Sequence, residues 1–316
     1  MTYLLLIIGF LLLIKGADWF VDGSASIASI YKISPLIIGL TIVAFGTGAP
    51  EATVSIIAAL EGNADVTIGN IVGSNILNLS FVVGLTAVIY PLKVQSVSIR
   101  KEIPFAFLSA VVLLALLFES TSDDFLYLIT RSDGVILLLF FSIFMYYVIE
   151  AAKNSRNDSI ETAVESVYSL KKSIVYSILG LIAIIIGGYL VVETSTTIAY
   201  QFGMSETLVG LTIVAIGSSL PELVTSIAAA MKKHSEMALG NVVGSSIFNV
   251  FFVLGLSSVI TPLTVVSIIT IDIIALLILT LMLFIFSRTS YTIGKTEGLI
   301  LSLSYISYLI YIIIRN

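Results

Sequence analysis

The chain has 316 residues, 58% hydrophobic and only 11% charged, with a formal net charge of −5. A soluble domain carries roughly 25% charge, so the composition excludes a water-soluble globular protein and indicates an integral membrane protein. There is no cysteine and a single histidine, His234, which excludes disulfides, thiolate or histidine metal clusters and a Ser-His-Asp triad.

A helix crosses the hydrocarbon with about 20 mainly apolar residues. Ten such stretches follow one another, at approximately 3–31, 35–60, 66–90, 103–119, 133–151, 172–200, 207–231, 236–261, 266–287 and 294–314. The predicted class is an all-α membrane protein. The first stretch reads as a mature span and not a secretory leader: no basic residue precedes Leu4, and the run continues into Gly16, Asp18 and Trp19. Lys15 can pair with Asp18 one turn on. Asp18, Asp22 and Glu193 read as interfacial anchors, and Glu119, Asp123 and Asp124 as solvated loop charges. A polar linker, 153–171, separates a first repeat, 1–152, from a second, 172–316. It is too short for a calcium-sensing domain and has no D-x-D-x-D-G loop. With the N-terminus outside, twelve of the fifteen Lys and Arg fall on the inner side. The positive-inside rule then predicts both termini outside and the linker cytoplasmic, in a multi-pass protein of the cell membrane.

The two halves repeat. Residues 39–51, GLTIVAFGTGAPE, match 210–222, GLTIVAIGSSLPE, at nine of thirteen positions, an offset of 171. Residues 69–78, GNIVGSNILN, match 240–249, GNVVGSSIFN, at seven of ten with the same offset. Five spans per half is an odd number, so the second half enters the membrane upside down. The expectation is ten transmembrane helices as two inverted five-helix repeats, with a substrate site at the midplane between them.

Glu51 and Glu222 fall near the middle of the second and seventh spans. A charge there costs roughly 2.5–3.5 kcal/mol by insertion scales. Pro50 and Pro221 precede them, and a proline inside a helix removes a hydrogen bond and frees a carbonyl one turn back. The bland alternatives are a protonated pair joining helices and two packing kinks. Their recurrence at repeat-related positions favours a site. Gly69/Gly73 and Gly240/Gly244 are GxxxG patterns, read as close helix packing. Ser74 and Asn78 share one helical face, as do Ser245 and Asn249. These groups serve either as interhelical glue or as further walls of an oxygen cage. Two carboxylates, hydroxyls, amides and carbonyls, without sulfur or imidazole, suit a hard cation, Ca2+ above all.

The paired G-[ST]-x-x-P-E and G-N-x-x-G-S-x-x-x-N segments resemble the α-repeats of the Ca2+/cation antiporter superfamily, specifically its Na+/Ca2+ exchanger branch. The resemblance covers nearly the whole chain. It implies alternating access, with the first and sixth spans sliding across an eight-span core. It also implies Ca2+ binding by Glu51 and Glu222 with Thr47 and Ser218. Sodium sites would add the Ala44 and Ala215 carbonyls with Ser74, Ser219 and Ser245, and Asn78 and Asn249 would flank the centre. Gly48 departs from its repeat partner Ser219 and from many relatives, which carry serine. Asn249 stands where some relatives, including K+-dependent ones, have aspartate, which argues against K+ co-transport. The proton-coupled branch reads G-N-A-x-E around its glutamates, unlike this chain. The implied function is secondary antiport of Ca2+ against Na+. A proton-coupled Ca2+ antiporter is the first alternative, followed by a cation channel and an intramembrane protease. The expected partners are Ca2+ and Na+ as transported ions and the lipid bilayer. No cofactor, catalytic residue or nucleic-acid partner is expected, and a monomer suffices.

Overall fold

The computed structural model describes residues 2–119, 126–158, 168–203 and 215–315. The first half runs through α1 (Thr2–Tyr31), α2 (Pro35–Thr47), α3 (Ala49–Leu60), α4 (Ala64–Ile89), α5 (Ser98–Phe118) and α6 (Arg131–Asn154). The second half runs through α7 (Leu170–Gln201), α8 (Ala215–Ser218), α9 (Leu220–Met231), α10 (Ser235–Ile260), α11 (Ile269–Ser290) and α12 (Lys295–Arg315). Among the described residues, eight helices are long and apolar enough to cross a membrane singly. Up to nine do so if α2 and α3, bent by 49°, form one span. Of the predicted stretch 207–231, residues up to 214 lie outside the described ones; the rest is α8 and α9.

Local sequence explains several starts and breaks. The Ser34 hydroxyl accepts from the Leu36 amide at 3.3 Å, with Pro35 in the first turn, where its missing N–H costs nothing. Asn63 caps α4 by accepting from the Val66 amide at 3.5 Å. The second span breaks at Gly48, and α3 restarts with Pro50 in its first turn. Wider π-turns occupy Gly39–Val43, Asn78–Val82, Ser98–Glu102 and Phe248–Leu254. The second and fourth lie at repeat-related positions, each beginning at or beside a polar residue of the predicted site.

Packing is that of a bilayer protein. In α4 and α10, 78% of the apolar window is buried, against 17% in α6, so α4 and α10 form the centre. Leu139, Ile143 and Tyr146 of α6 and Ile178, Leu179 and Ile186 of α7 are exposed apolar residues, where lipid tails replace water. Buried polar links close the periphery. Arg315 at the end of α12 donates from both terminal nitrogens to the Asp272 carboxylate of α11, at 2.8 and 3.1 Å. Tyr147 of α6 donates to Glu102 of α5.

α1 and α7 lie antiparallel with backbones in contact. A Cβ on Gly16 would stand 2.9 Å from the Gly180 carbonyl oxygen, and one on Gly180 would stand 2.5 Å from the Phe20 nitrogen. Only glycine permits that approach. Gly240 and Gly244 of α10 likewise press on α2, where added Cβ atoms would meet the Leu36 and Leu40 oxygens at 2.6 and 2.7 Å. Around Gly69 and Gly73 no described atom lies within 4 Å of such a Cβ. The segment related to α2, residues 206–218, lies largely outside the described residues.

Two short ribbons accompany the helices of this mostly helical fold. β1 (Leu92–Lys93) pairs antiparallel with β4 (Thr292–Ile293), and β2 (Leu126–Ile129) with β3 (Leu263–Val266). Strands of two to four residues carry too little alternation to stand out from apolar helices. Each ribbon takes one strand from each half. Leu92 and Leu263, which open β1 and β3, are related by the repeat offset of 171.

The glycine contact gives a direct test. Gly180→Val should destabilise the purified protein by about 1–3 kcal/mol, the usual cost of overpacking, read as a lowered thermal midpoint. Gly188→Ala, whose added carbon finds its nearest neighbour at 3.7 Å, should leave the midpoint unchanged.

Candidate cation site

α3 and α9 open alike, with Pro50-Glu51 and Pro221-Glu222 in their first turns. A first turn presents unpaired amides and the positive end of the helix dipole, which favours a carboxylate. Both glutamates are 0% exposed, so each needs partners within the protein.

The halves supply those partners to one another. Ser219, just before α9, donates its hydroxyl to Oε1 of Glu51 at 3.0 Å. Its repeat partner is Gly48, where a Cβ would lie 3.8 Å from Oε1 of Glu222 and 2.9 Å from the Ala44 oxygen. Thr47, ending α2, contacts Oδ1 of Asn241 at 3.1 Å. Ser245 donates to the Asn241 oxygen at 2.8 Å and reaches the Ala44 oxygen at 3.4 Å. The centre is crossed again by Asn75, whose amide donates to the Ser246 oxygen at 3.0 Å and accepts from Asn249 at 3.2 Å.

A matched pair of braces holds the glutamate helices. Asn70 donates to the Glu51 oxygen at 3.3 Å and to the Ser55 hydroxyl at 2.9 Å. Asn241 donates to the Glu222 oxygen at 3.4 Å and to the Ser226 hydroxyl at 3.0 Å. The two sets are related residue by residue by the offset of 171. Each amide fixes the backbone that carries a carboxylate, so the side chains enter the site from a rigid base.

Of the residues expected from sequence, Glu51, Glu222, Thr47, Ala44, Ser74, Ser219, Ser245, Asn78 and Asn249 are all buried. Ser218 is half-buried, and Ala215 begins α8. Hydrogen bonds join Glu51 to Ser219 and join Ala44, Thr47 and Ser245 around Asn241. Ser74 and Asn78 lie in the buried centre of α4. Among the described residues, Oδ1 of Asn249 and both amide atoms of Asn78 have no hydrogen-bond partner, and the Glu222 carboxylate has the Thr47 and Glu51 side chains beside it. Buried polar atoms are nearly always paired, and lipid supplies no partner. Oxygen acceptors left over in such a place are ready-made ligands for a cation. No group of three or more His, Cys, Asp or Glu placed to hold a metal ion occurs among the described residues, so the set is two carboxylates among neutral oxygens, the chemistry of hard cations.

The bracing residues Asn70, Asn241, Ser55, Ser226, Asn75 and Ser246 were not singled out by sequence. Asn70 and Asn241 stand in the G-N-x-x-G-S-x-x-x-N segments, but no role is read for them there. Ser55 and Ser226 carried a usable signal, because each lies four residues after a glutamate, on its helical face. Asn75 carried less, since its repeat partner is Ser246.

The family model described as sodium/calcium exchanger protein matches residues 1–150 and 172–314. The chain belongs to the sodium/calcium exchanger family. CaxA of Alkalimonas amylolytica is 38% identical over 315 residues, covering 96% of this exchanger and 95% of CaxA. The sodium/calcium exchanger MaX1 of Methanosarcina acetivorans is 32% identical over 345 residues, covering 98% and 97%. A solved structure of the sodium-calcium exchanger NCX_Mj matches with a TM-score of 0.83 and 31% identity, covering 98% of this exchanger and 97% of that chain.

The braces predict a difference between the halves. Asn241 is fully buried and Asn70 only partly. Asn241→Ala should therefore cost about 1–3 kcal/mol, the penalty for orphaning buried partners, and Asn70→Ala less. Thermal unfolding of the two purified variants side by side checks the order.

Proposed function

We propose that this exchanger carries Ca2+ across the membrane against Na+ by alternating access, with Glu51 and Glu222 binding Ca2+ directly. The observation that carries the reading is the pair of fully buried glutamates, in the first turns of repeat-related broken helices, facing a wall of neutral oxygens. Thr47 and Ser218 assist at the Ca2+ position. The Ala44 and Ala215 carbonyls with Ser74, Ser219 and Ser245 hold Na+, and Asn78 and Asn249 flank the centre. The coupling follows from electrostatics. Two carboxylates with a Ca2+ are neutral, and so are two carboxylates with sodium ions. Two bare carboxylates in a low dielectric are costly. The site therefore crosses between the two faces only when loaded. Ca2+ and Na+ are substrates, and the protein is a transporter, not an enzyme.

The architecture proposed for this cycle is ten spans as two inverted five-helix repeats, 1–152 and 172–316, around a linker at 153–171. The family match in two blocks, 1–150 and 172–314, supports this division. So do the matched Asn70 and Asn241 braces and the two ribbons, each of which pairs a strand of one half with a strand of the other. The charge asymmetry of the loops supports both termini outside and a cytoplasmic linker. One chain closes the whole site, so a monomer is sufficient.

Proteoliposomes loaded with Na+ and diluted into Na+-free buffer should take up Ca2+, whereas K+-loaded vesicles and a pH gradient alone should not. Uptake on the pH gradient alone would move the exchanger to proton coupling. Glu51→Gln and Glu222→Gln should each abolish the Na+-driven uptake while the purified variants keep a cooperative thermal transition. Normal uptake by either one refutes the site assignment.

A further inference from the structure

The site is not equally covered on its two sides. α1 packs along α9, the helix that carries Glu222, whereas the repeat-related pair, α7 and α3, makes no comparable contact among the described residues. Thr225, one turn past Glu222 and on the same face, is 0% exposed; its repeat partner Val54, one turn past Glu51, is 46% exposed. The face of α9 one turn past Glu222 is covered, and the matching face of α3 is uncovered.

At the end of the covered face stands an ionic contact between α9 and α1. Lys232, immediately after α9, donates from Nζ to Oδ1 of Asp22 at 2.8 Å and to the Asp18 backbone oxygen at 2.9 Å, both on α1. The Asp18 carboxylate lies 3.4 Å away. Lys15 stands 3.9 Å from the other Asp18 oxygen, and it is largely exposed. The half-buried His234 lies in the field of Asp22 and Lys232. The repeat offset of 171 carries Lys232 to Glu61, Asp18 to Tyr189 and Asp22 to Glu193. The equivalent positions at the uncovered side therefore hold two acids and a phenol, with no cation to join them. The fold is nearly symmetric about the site, but its fastening is not.

We propose that Lys232 is a positioning residue for transport: by clasping Asp18 and Asp22 it holds α1 against α9 and biases the exchanger toward the form open beside α3. Because α1 and α7 are joined backbone to backbone through Gly16 and Gly180, a fastening on α1 acts on the pair as one body. The clasp gives the cycle a preferred resting side, which by the orientation proposed above is the outer one. Opening toward the cytoplasm requires the clasp to release. At the other side Glu61 and Glu193 offer nothing that would hold the alternative form. This inference rests on the alternating-access reading for its functional meaning, but its test needs no ion flux.

The chain contains no cysteine, so Thr225→Cys and Val54→Cys each give a single reporter. The full-length protein is labelled in Na+-free and Ca2+-free buffer with a membrane-impermeant maleimide. Val54→Cys should label rapidly and Thr225→Cys slowly. Adding Lys232→Gln should raise the Thr225→Cys rate about fivefold, the shift expected from losing a partly exposed ion pair at the strong end of its range. The same change should slow labelling at Val54→Cys. Lys232→Arg, which keeps the charge, should leave both rates as they were. Unchanged labelling at Thr225→Cys in the Lys232→Gln protein overturns the proposal. So does an equal rise with Lys232→Arg, or a rise at both reporters, which marks general loosening. Failure of Na+-driven Ca2+ uptake would refute the exchange reading and leave the labelling result legible.

Discussion

Everything in this molecule answers to one electrostatic constraint: two carboxylates are held where the surrounding medium cannot solvate them. Glu51 and Glu222 are fully enclosed, on two separate apolar helices. A helix that ran straight through would expose no amide or carbonyl to them. The chain breaks its second span at Gly48 instead and restarts it with a proline, which places the glutamate in a first turn. α9 begins the same way. The break exchanges regular helix for local polarity at the depth where polarity is needed.

The surrounding shell shows how firmly the geometry is set. The glutamate backbones are tied to α4 and α10 by asparagines, and α4 and α10 are tied to each other through Asn75, Ser246 and Asn249. These are neutral groups that satisfy one another, so they add rigidity without adding charge. The oxygens left over, on Glu51, Asn78 and Asn249, are the acceptors that the proposed cation would use. Rigid bracing and unspent acceptors together are what the proposed cation site would use. α1 and α7 are joined on another rule: they meet through glycines, backbone against backbone.

Much of this was legible in the sequence because hydrophobicity and repetition are strong signals. The span limits agree with the helices within a few residues at most positions, as for 66–90 against Ala64–Ile89. The glutamates stood out because a charge inside an apolar run is conspicuous, and because it occurs twice. The bracing asparagines were visible in the repeated motif without a role, because their partners depend on contacts between helices that no local period reveals. The clasp was half visible. Asp18 and Asp22 drew notice as charges within the first span, but their partner Lys232 lies 210 residues from Asp22 along the chain and reads locally as one more positive-inside loop charge. The ribbons were missed for lack of length.

Those ribbons bear on how the protein is made. β1 is complete once residue 93 has been synthesised, yet its partner β4 begins at Thr292, close to the end of the chain. β2 waits in the same way for β3. During synthesis the first half must therefore reside in the bilayer with unpaired strand edges and with Glu51 lacking its Ser219 donor. A folding unit divided in this way cannot be finished by either half alone.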